Sequence, residues 1–213
     1  PTNPLMIEFD IAKVADVAHA NGAKLVVDNT FYSPIYQNPI ALGADIVVHS
    51  ATKYLAGHND VLAGVVITSD QAIYDKIFYN LNTTGPTLSP FDSYMLMRGL
   101  KTLKLRMGKA TENAHAIVKY LKNSPAVKGG MISFKVVEEE KIPHIINNLQ
   151  IITFAESLGG VESLITYPRA QTHADIPEDV RLSYGLTNDL LRLSIGIEDV
   201  EDLIDDLKNA LEG

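Results

Sequence analysis

The chain has no cysteine. A disulfide framework and a thiol nucleophile are thereby excluded, and the absence agrees with a cytoplasmic address. No apolar run approaches the roughly 18 residues that a membrane span requires, and no basic, apolar, small-residue leader opens the chain. Positive charge is sparse and unclustered. Lys and Arg number 18 against 26 Asp and Glu, a net charge of −8, which argues against nucleic acid or an anionic membrane as partner. The histidines His19, His49, His58, His115, His144 and His173 show none of the spacings used by zinc sites, so no metal is assigned. There is no internal repeat, low-complexity tract or flexible linker. The expectation is a soluble intracellular protein whose 213 residues, 46% apolar, bury a substantial core in one large or two small domains.

Chemistry concentrates in the stretch Val47-Val48-His49-Ser50-Ala51-Thr52-Lys53-Tyr54. Ile46, Val47 and Val48 are β-branched and follow Gly43, which predicts a short strand that ends in polar residues. Hydroxyls beside a lysine at a strand's lip can hold a phosphate while a desolvated amine reacts with a carbonyl. A solvated loop after a strand would read the same way in this segment alone. The run Lys24-Leu25-Val26-Val27-Asp28 is a second apolar strand, closed by an acid. Strands alternating with helices predict a parallel sheet, whose sites gather beyond the carboxyl ends of the strands. Asp28 and Lys53 then share one edge. A carboxylate near a carbonyl-trapping lysine is what pyridoxal phosphate requires, because the acid keeps the pyridine nitrogen protonated. The competing reading of Asp28 is a loop acid bonded to nearby amides.

Beyond these two strands, Pro1-Thr2-Asn3-Pro4, Glu156-Ser157-Leu158-Gly159-Gly160 with Glu162-Ser163, Thr172-His173-Ala174 and Leu191-Arg192-Leu193-Ser194 complete an ordered set. With Val27-Asp28-Asn29-Thr30, Ser50-Ala51-Thr52-Lys53-Tyr54 and Gly57-His58, the set resembles the Cys/Met metabolism family of pyridoxal phosphate enzymes. That family includes cystathionine γ-synthase, cystathionine β- and γ-lyases and O-acylhomoserine sulfhydrylases. The resemblance implies an α/β fold of the fold-type-I transferase class. A parallel-rich cofactor domain would take residues 1–95, a long connecting helix 96–122, and a C-terminal α+β domain 123–213. Pro1 falls inside a motif, so the chain is expected to be the later part of such a protein. Members usually carry a longer insert where this chain has only the short connection Ala126–Gly129.

The resemblance also assigns roles. Lys53 carries the cofactor and moves the Cα proton, Asp28 pairs with the ring nitrogen, Ser50 and Thr52 bind the phosphate, and Asn3 sits by the phenolic oxygen. Arg192 takes the substrate carboxylate, since a guanidinium makes two parallel bonds to it. A structural ion pair is the rival reading of Arg192. Ser157 contributes to that subsite, and Thr172 steadies it. Glu156 precedes Ser157 as in members acting at the γ carbon, which favours a cystathionine γ-synthase or O-acylhomoserine-type γ-replacement over a cystathionine β- or γ-lyase. The implied substrates are small amino acids, namely O-acylhomoserine, cysteine and cystathionine, and the implied assembly is a homodimer or homotetramer. A non-catalytic fragment lacking the N-terminal cofactor contacts is the reading from another class.

Along the chain, Asp10 reads as the cap of a helix carrying Ile11, Val14, Ala15 and Ala18 and closed by Gly22. Leu62 to Thr68 reads as a buried strand. Ser89-Pro90-Phe91-Asp92 is a helix start with hydroxyl cap and proline at the first position. From Leu96 to Leu121, apolar residues every three or four positions predict one long striped helix, with Gly99 and Gly108 permitting a bend. Gly129-Gly130 and Gly159-Gly160 read as turns. A strand is expected from Met131, and Val200, Leu203, Ile204, Leu207 and Leu211 predict the last helix.

Overall fold

The structure, a computed structural model, describes residues 1–124 and 133–213 and, between them, the backbone of Val127–Lys128. The chain divides into two compact units, Glu8–Lys104 and Pro1–Ile7 with Leu105–Gly213. The first seven residues therefore go with the C-terminal unit, although the sequence groups them with the first 95.

The unit Glu8–Lys104 opens with α1 (Ile11–Ala20), whose cap Asp10 accepts from Lys13 N at 3.2 Å. Gly22, at φ 71°, turns the chain in the left-handed conformation that glycine adopts without strain. Three strands follow: β1 (Val26–Asp28), β2 (Ile46–Ser50) and β3 (Gly64–Thr68). Between the first two lie the short helix α2 (Ser33–Tyr36) and a 3-10 turn, Pro39–Leu42. β1 runs parallel to β2, with Asp28 level with Val48, whereas β3 is antiparallel to β2. β3 also departs from the buried strand expected of it, since Val66 is 52% and Ile67 43% exposed. Its apolar run registers strand propensity, not burial, and the two cannot be told apart in a short run.

Two helices, α3 (Gln71–Thr84) and α4 (Pro90–Leu100), complete this unit. The cap of α4 is as expected: Ser89 Oγ accepts from Asp92 N at 3.0 Å and donates to Asp92 Oδ2 at 2.9 Å. The helix does not run on to residue 122. It stops at Leu100, and α5 (Leu103–Asn123) begins after a turn in which Thr102 N and Thr102 Oγ1 both donate to Gly99 O at 3.1 Å. Gly108, by contrast, sits inside α5 without interrupting it.

In the other unit the sheet order is β4-β5-β8-β7-β6, built from β4 (Val127–Lys128), β5 (Ser133–Val136), β6 (Thr153–Phe154), β7 (Leu164–Thr166) and β8 (Leu190–Ser194). β8 is central, and all five of its residues are buried. The unit also holds the helices α6 (Ile142–Asn148), α7 (Glu178–Ser183) and α8 (Val200–Glu212), of which α6 and α8 contribute to its core. Ile117 and Leu121 of α5, Phe134, Ile142, Ile165, Leu191, Leu193, Leu203 and Leu207 form one core. Fully burying each such side chain contributes about 1.5–3 kcal/mol. One polar group is set into the core face of α8: Asp206 accepts from the amides of Gln150, Ile151 and Ile152 at 2.7, 3.0 and 2.9 Å, docking that loop on the helix. The Ala126–Gly129 connection is described only as the strand Val127–Lys128. The Gly129-Gly130 turn and the expected strand start at Met131 lie outside the described residues.

Candidate active site

The predicted residues fall into two groups, one in each unit. In Glu8–Lys104, the parallel register puts Asp28 at the carboxyl end of β1, on the same sheet face as Val48 and Ser50 of β2. Asp28 is exposed, and its Oδ1 accepts from Thr30 N at 2.9 Å. That bond is the Asx turn expected of a loop acid, and it also fixes the carboxylate's direction. Thr30 in turn uses its hydroxyl to accept from Ser50 N at 2.8 Å, tying the end of β1 to the end of β2. Behind them, the buried Asn29 donates to Ser33 O and Gln37 O and accepts from Gln37 Nε2, so the loop after β1 is rigidly held.

β2 gives way to the wide turn Ala51–Leu55, which Ala56 N closes on Ala51 O at 2.9 Å. Lys53 breaks the helical pattern of this turn, at φ −86° and ψ −127°, and its carbonyl accepts from Gly57 N at 2.7 Å. The half-buried lysine thus stands three residues beyond β2, the strand that pairs with β1. Thr52 differs from expectation. Its hydroxyl accepts from Ala63 N at 3.0 Å and donates to Ala63 O at 3.3 Å, so it clasps the chain ahead of β3. His49, pointing to the opposite, buried face of β2, keeps Nδ1 without a partner, and burial lowers its pKa while the Asp28 charge opposes that shift.

The second group is built on β8. Arg192 is 2% exposed in the central strand, between Ser133 of β5 and Thr166 of β7 in register. Its Nη1 donates to Asn3 Oδ1 at 2.7 Å, and its Nη2 to Glu156 O at 2.9 Å, Ser157 O at 3.0 Å and Thr166 Oγ1 at 2.8 Å. These acceptors are neutral oxygens that orient the guanidinium. Ser133 Oγ donates to Pro4 O, holding the segment that carries Asn3. Asn3 is therefore placed on the arginine. Glu156 is exposed and meets Arg192 through its backbone carbonyl. Thr172 is exposed too, its hydroxyl 2.7 Å from His173 Nδ1. Burial, then the charges of Arg192 and Arg181, lower the pKa of His173.

Thr166 and Ser133 are the residues that the sequence does not single out. They are ordinary strand hydroxyls until the register sets them on either side of Arg192. The segment after β8 is also pinned: Asn113 Nδ2 donates to Gly196 O at 3.2 Å and Glu198 O at 2.8 Å, and Ser163 Oγ donates to Glu198 Oε2 at 2.9 Å.

The model of the family described as Cys/Met metabolism PLP-dependent enzyme matches residues 1–129 and 128–212. The chain belongs to that family. It is 52% identical to the cystathionine gamma-synthase/O-acetylhomoserine (thiol)-lyase of Bacillus subtilis, over 99% of this chain and 58% of that protein. A cystathionine beta-lyase of Lactococcus lactis subsp. cremoris is 45% identical over 100% of this chain and 62% of that one. Among solved structures, the cystathione gamma lyase CalE6 of Micromonospora echinospora superposes with a TM-score of 0.96 at 36% identity, covering 100% of this chain and 62% of that chain. The α/β fold is thus that of the pyridoxal phosphate-dependent cystathionine lyases and synthases. The chain spans about three-fifths of these relatives' length.

The family's cofactor is pyridoxal 5′-phosphate. The residues present fit it by the chemistry of their side chains: an amine, a carboxylate and a serine hydroxyl stand at the carboxyl ends of two adjacent parallel strands.

Proposed function

We propose that the whole protein is a pyridoxal phosphate enzyme that makes or breaks carbon-sulfur bonds in methionine and cysteine metabolism. Among its reactions we favour γ-replacement of the cystathionine γ-synthase or O-acylhomoserine kind. The observation that carries the reading is the β1–β2 register, which ends one parallel strand in Asp28 and sends its neighbour into the Lys53 turn. When bound, the cofactor supplies an electron sink for carbanion chemistry.

Each residue then has a task of its own. Lys53 Nζ would hold the cofactor at its aldehyde carbon, and its amine would be the group that holds and moves the proton at the substrate Cα. Asp28 holds the proton on the ring nitrogen, and Ser50 donates to the phosphate. Thr52 offers the phosphate what capacity its Ala63 clasp leaves. Arg192 binds the α-carboxylate, with Ser157 beside it. Asn3, its oxygen given to Arg192, has its amide N–H groups for the ring's phenolic oxygen. Thr172 steadies the subsite through His173. Glu156, exposed beside Ser157, supports the γ preference.

The lyase reading also has support among the relatives, since the β-lyase, at 45% identity, stands close to the γ-synthase at 52%. A non-catalytic piece is favoured by the exposure of Asp28 in this chain. Cytoplasmic residence agrees with the absence, among the described residues, of a helix long and apolar enough to cross a membrane. Self-association as a homodimer or homotetramer is supported by Leu62, Tyr79, Phe91, Tyr94 and Met97, all more than half exposed on the unit Glu8–Lys104. The test is a substrate panel of O-acylhomoserines with cysteine, and cystathionine alone, on the protein loaded with pyridoxal phosphate. Cystathionine formed from an O-acylhomoserine supports γ-replacement. Homocysteine and pyruvate from cystathionine, with O-acylhomoserines untouched, contradicts it.

A further inference from the structure

The turn that presents Lys53 is braced from behind by a helix. Ala56 is 2% exposed, and its N–H closes the turn on Ala51 O, while the next amide, Gly57 N, is bonded to Lys53 O. Ala56 O accepts from His58 Nδ1 at 2.8 Å. Against the same carbonyl lies Gly99 of α4, buried in the helix's last turn. A Cβ built on Gly99 would stand 2.3 Å from Ala56 O, 2.9 Å from Ala56 C and 3.0 Å from Ala56 Cα. These are backbone atoms, so no side-chain rotation relieves the overlap.

Nothing in the local conformation asks for glycine here. Gly99 is helical, and a glycine in a helix interior costs about 1 kcal/mol relative to alanine. Gly108, in the next helix, shows the contrast, because a Cβ there meets nothing within 4 Å. The cost at Gly99 is accepted where the helix must touch the backbone of the lysine turn. Any retreat of Ala56 passes through the Ala56–Ala51 and Gly57–Lys53 bonds to Lys53 itself.

We propose that Gly99 is a positioning residue for Lys53, α4 serving as the backstop that fixes where the amine is presented; this rests on the reading of Lys53 as the cofactor lysine. The experiment measures borohydride trapping of pyridoxal phosphate at Lys53 over time, by peptide mass, in the wild type, Gly99→Ala, Gly108→Ala and His58→Ala. Melting curves of each variant are recorded in parallel. Trapping at Lys53 is expected to slow by about tenfold to a hundredfold in Gly99→Ala, as a misplacement of about 1 Å does to reacting groups. Gly108→Ala keeps the wild-type rate, and surface lysines label equally throughout. His58→Ala, which frees the same carbonyl from the exposed side, slows trapping without touching the helix and serves if Gly99→Ala does not fold. Wild-type Lys53 rates in both Gly99→Ala and His58→Ala, with the wild type itself trapped at Lys53, overturn the inference alone. A lowered melting point with an unchanged rate means a packing role only and also overturns it. A wild type with no adduct at Lys53 overturns both the inference and the functional reading beneath it.

Discussion

Thr166 lies opposite Arg192 across the β7–β8 pair, accepting from Arg192 Nη2 at 2.8 Å while donating to Ala155 O at 2.7 Å. One hydroxyl thus fixes both the guanidinium and the edge of the loop that carries Glu156 and Ser157. Arg192→Lys tests the arginine itself, and Thr166→Val keeps the shape while removing the acceptor. A bond to a charged group contributes about 1.5–3 kcal/mol, so Thr166→Val is expected to raise KM for an amino-acid substrate by about tenfold or more. The change in kcat should be smaller, and Thr166→Ser should restore KM. Steady-state kinetics on the loaded protein check this; an unchanged KM in Thr166→Val would show that Arg192 is held well enough by its other acceptors.

Asp206 bears on stability alone. Its carboxylate takes three backbone amides, from Gln150, Ile151 and Ile152. Asp206→Ala leaves these donors without their acceptor, and an unsatisfied buried group costs about 1–3 kcal/mol. Because the three share one carboxylate, a total of about 3 kcal/mol is expected in urea unfolding, with Asp206→Asn intermediate.

The pH dependence centres on Asp45, which joins α1, the approach to β1 and the start of β2. It accepts from His19 Nε2 at 2.9 Å, Leu25 N at 2.8 Å and Lys24 Nζ at 2.9 Å. The His19 bond, then the Leu25 amide and Lys24, hold its pKa well below the ordinary carboxylate value. A depressed pKa in the folded state contributes stability that is complete above the unfolded value and lost as pH falls through the folded one. Asp45→Asn should therefore lower the melting temperature at neutral pH, and the gap to wild type should close only in strong acid. A gap of constant size down to that range would contradict the assignment.

Much of this is legible in the chain because it is local. Caps announce themselves at fixed offsets, as Asp10 and Ser89 do, and the motif around Lys53 needs only a strand and the turn at its end. Arg192 stands out as a cation in an apolar run, where an unpartnered charge would be costly. Other features depend on which strand lies beside which. The antiparallel course of β3 is set by its pairing with β2, and Thr166 matters only through its register with Arg192. The clasp between the Thr52 hydroxyl and Ala63 is likewise hidden in the sequence, because it depends on how the chain folds back ahead of β3. The sequence permits a bend at Gly99 and at Gly108 but cannot choose between them, because apolar spacing continues across both and the close approach of Gly99 to Ala56 is a contact distant in sequence.

On the proposed function, Lys53 and Asp28 act on one cofactor. The most direct measurement of this is a peptide map of the protein saturated with pyridoxal phosphate and reduced with borohydride, taken for the wild type and for Asp28→Asn. The pyridoxyl group is expected on Lys53 in the wild type, with a clearly smaller yield at that residue in Asp28→Asn. A pyridoxyl group spread evenly over the other lysines, or a Lys53 yield indifferent to Asp28→Asn, would contradict that reading.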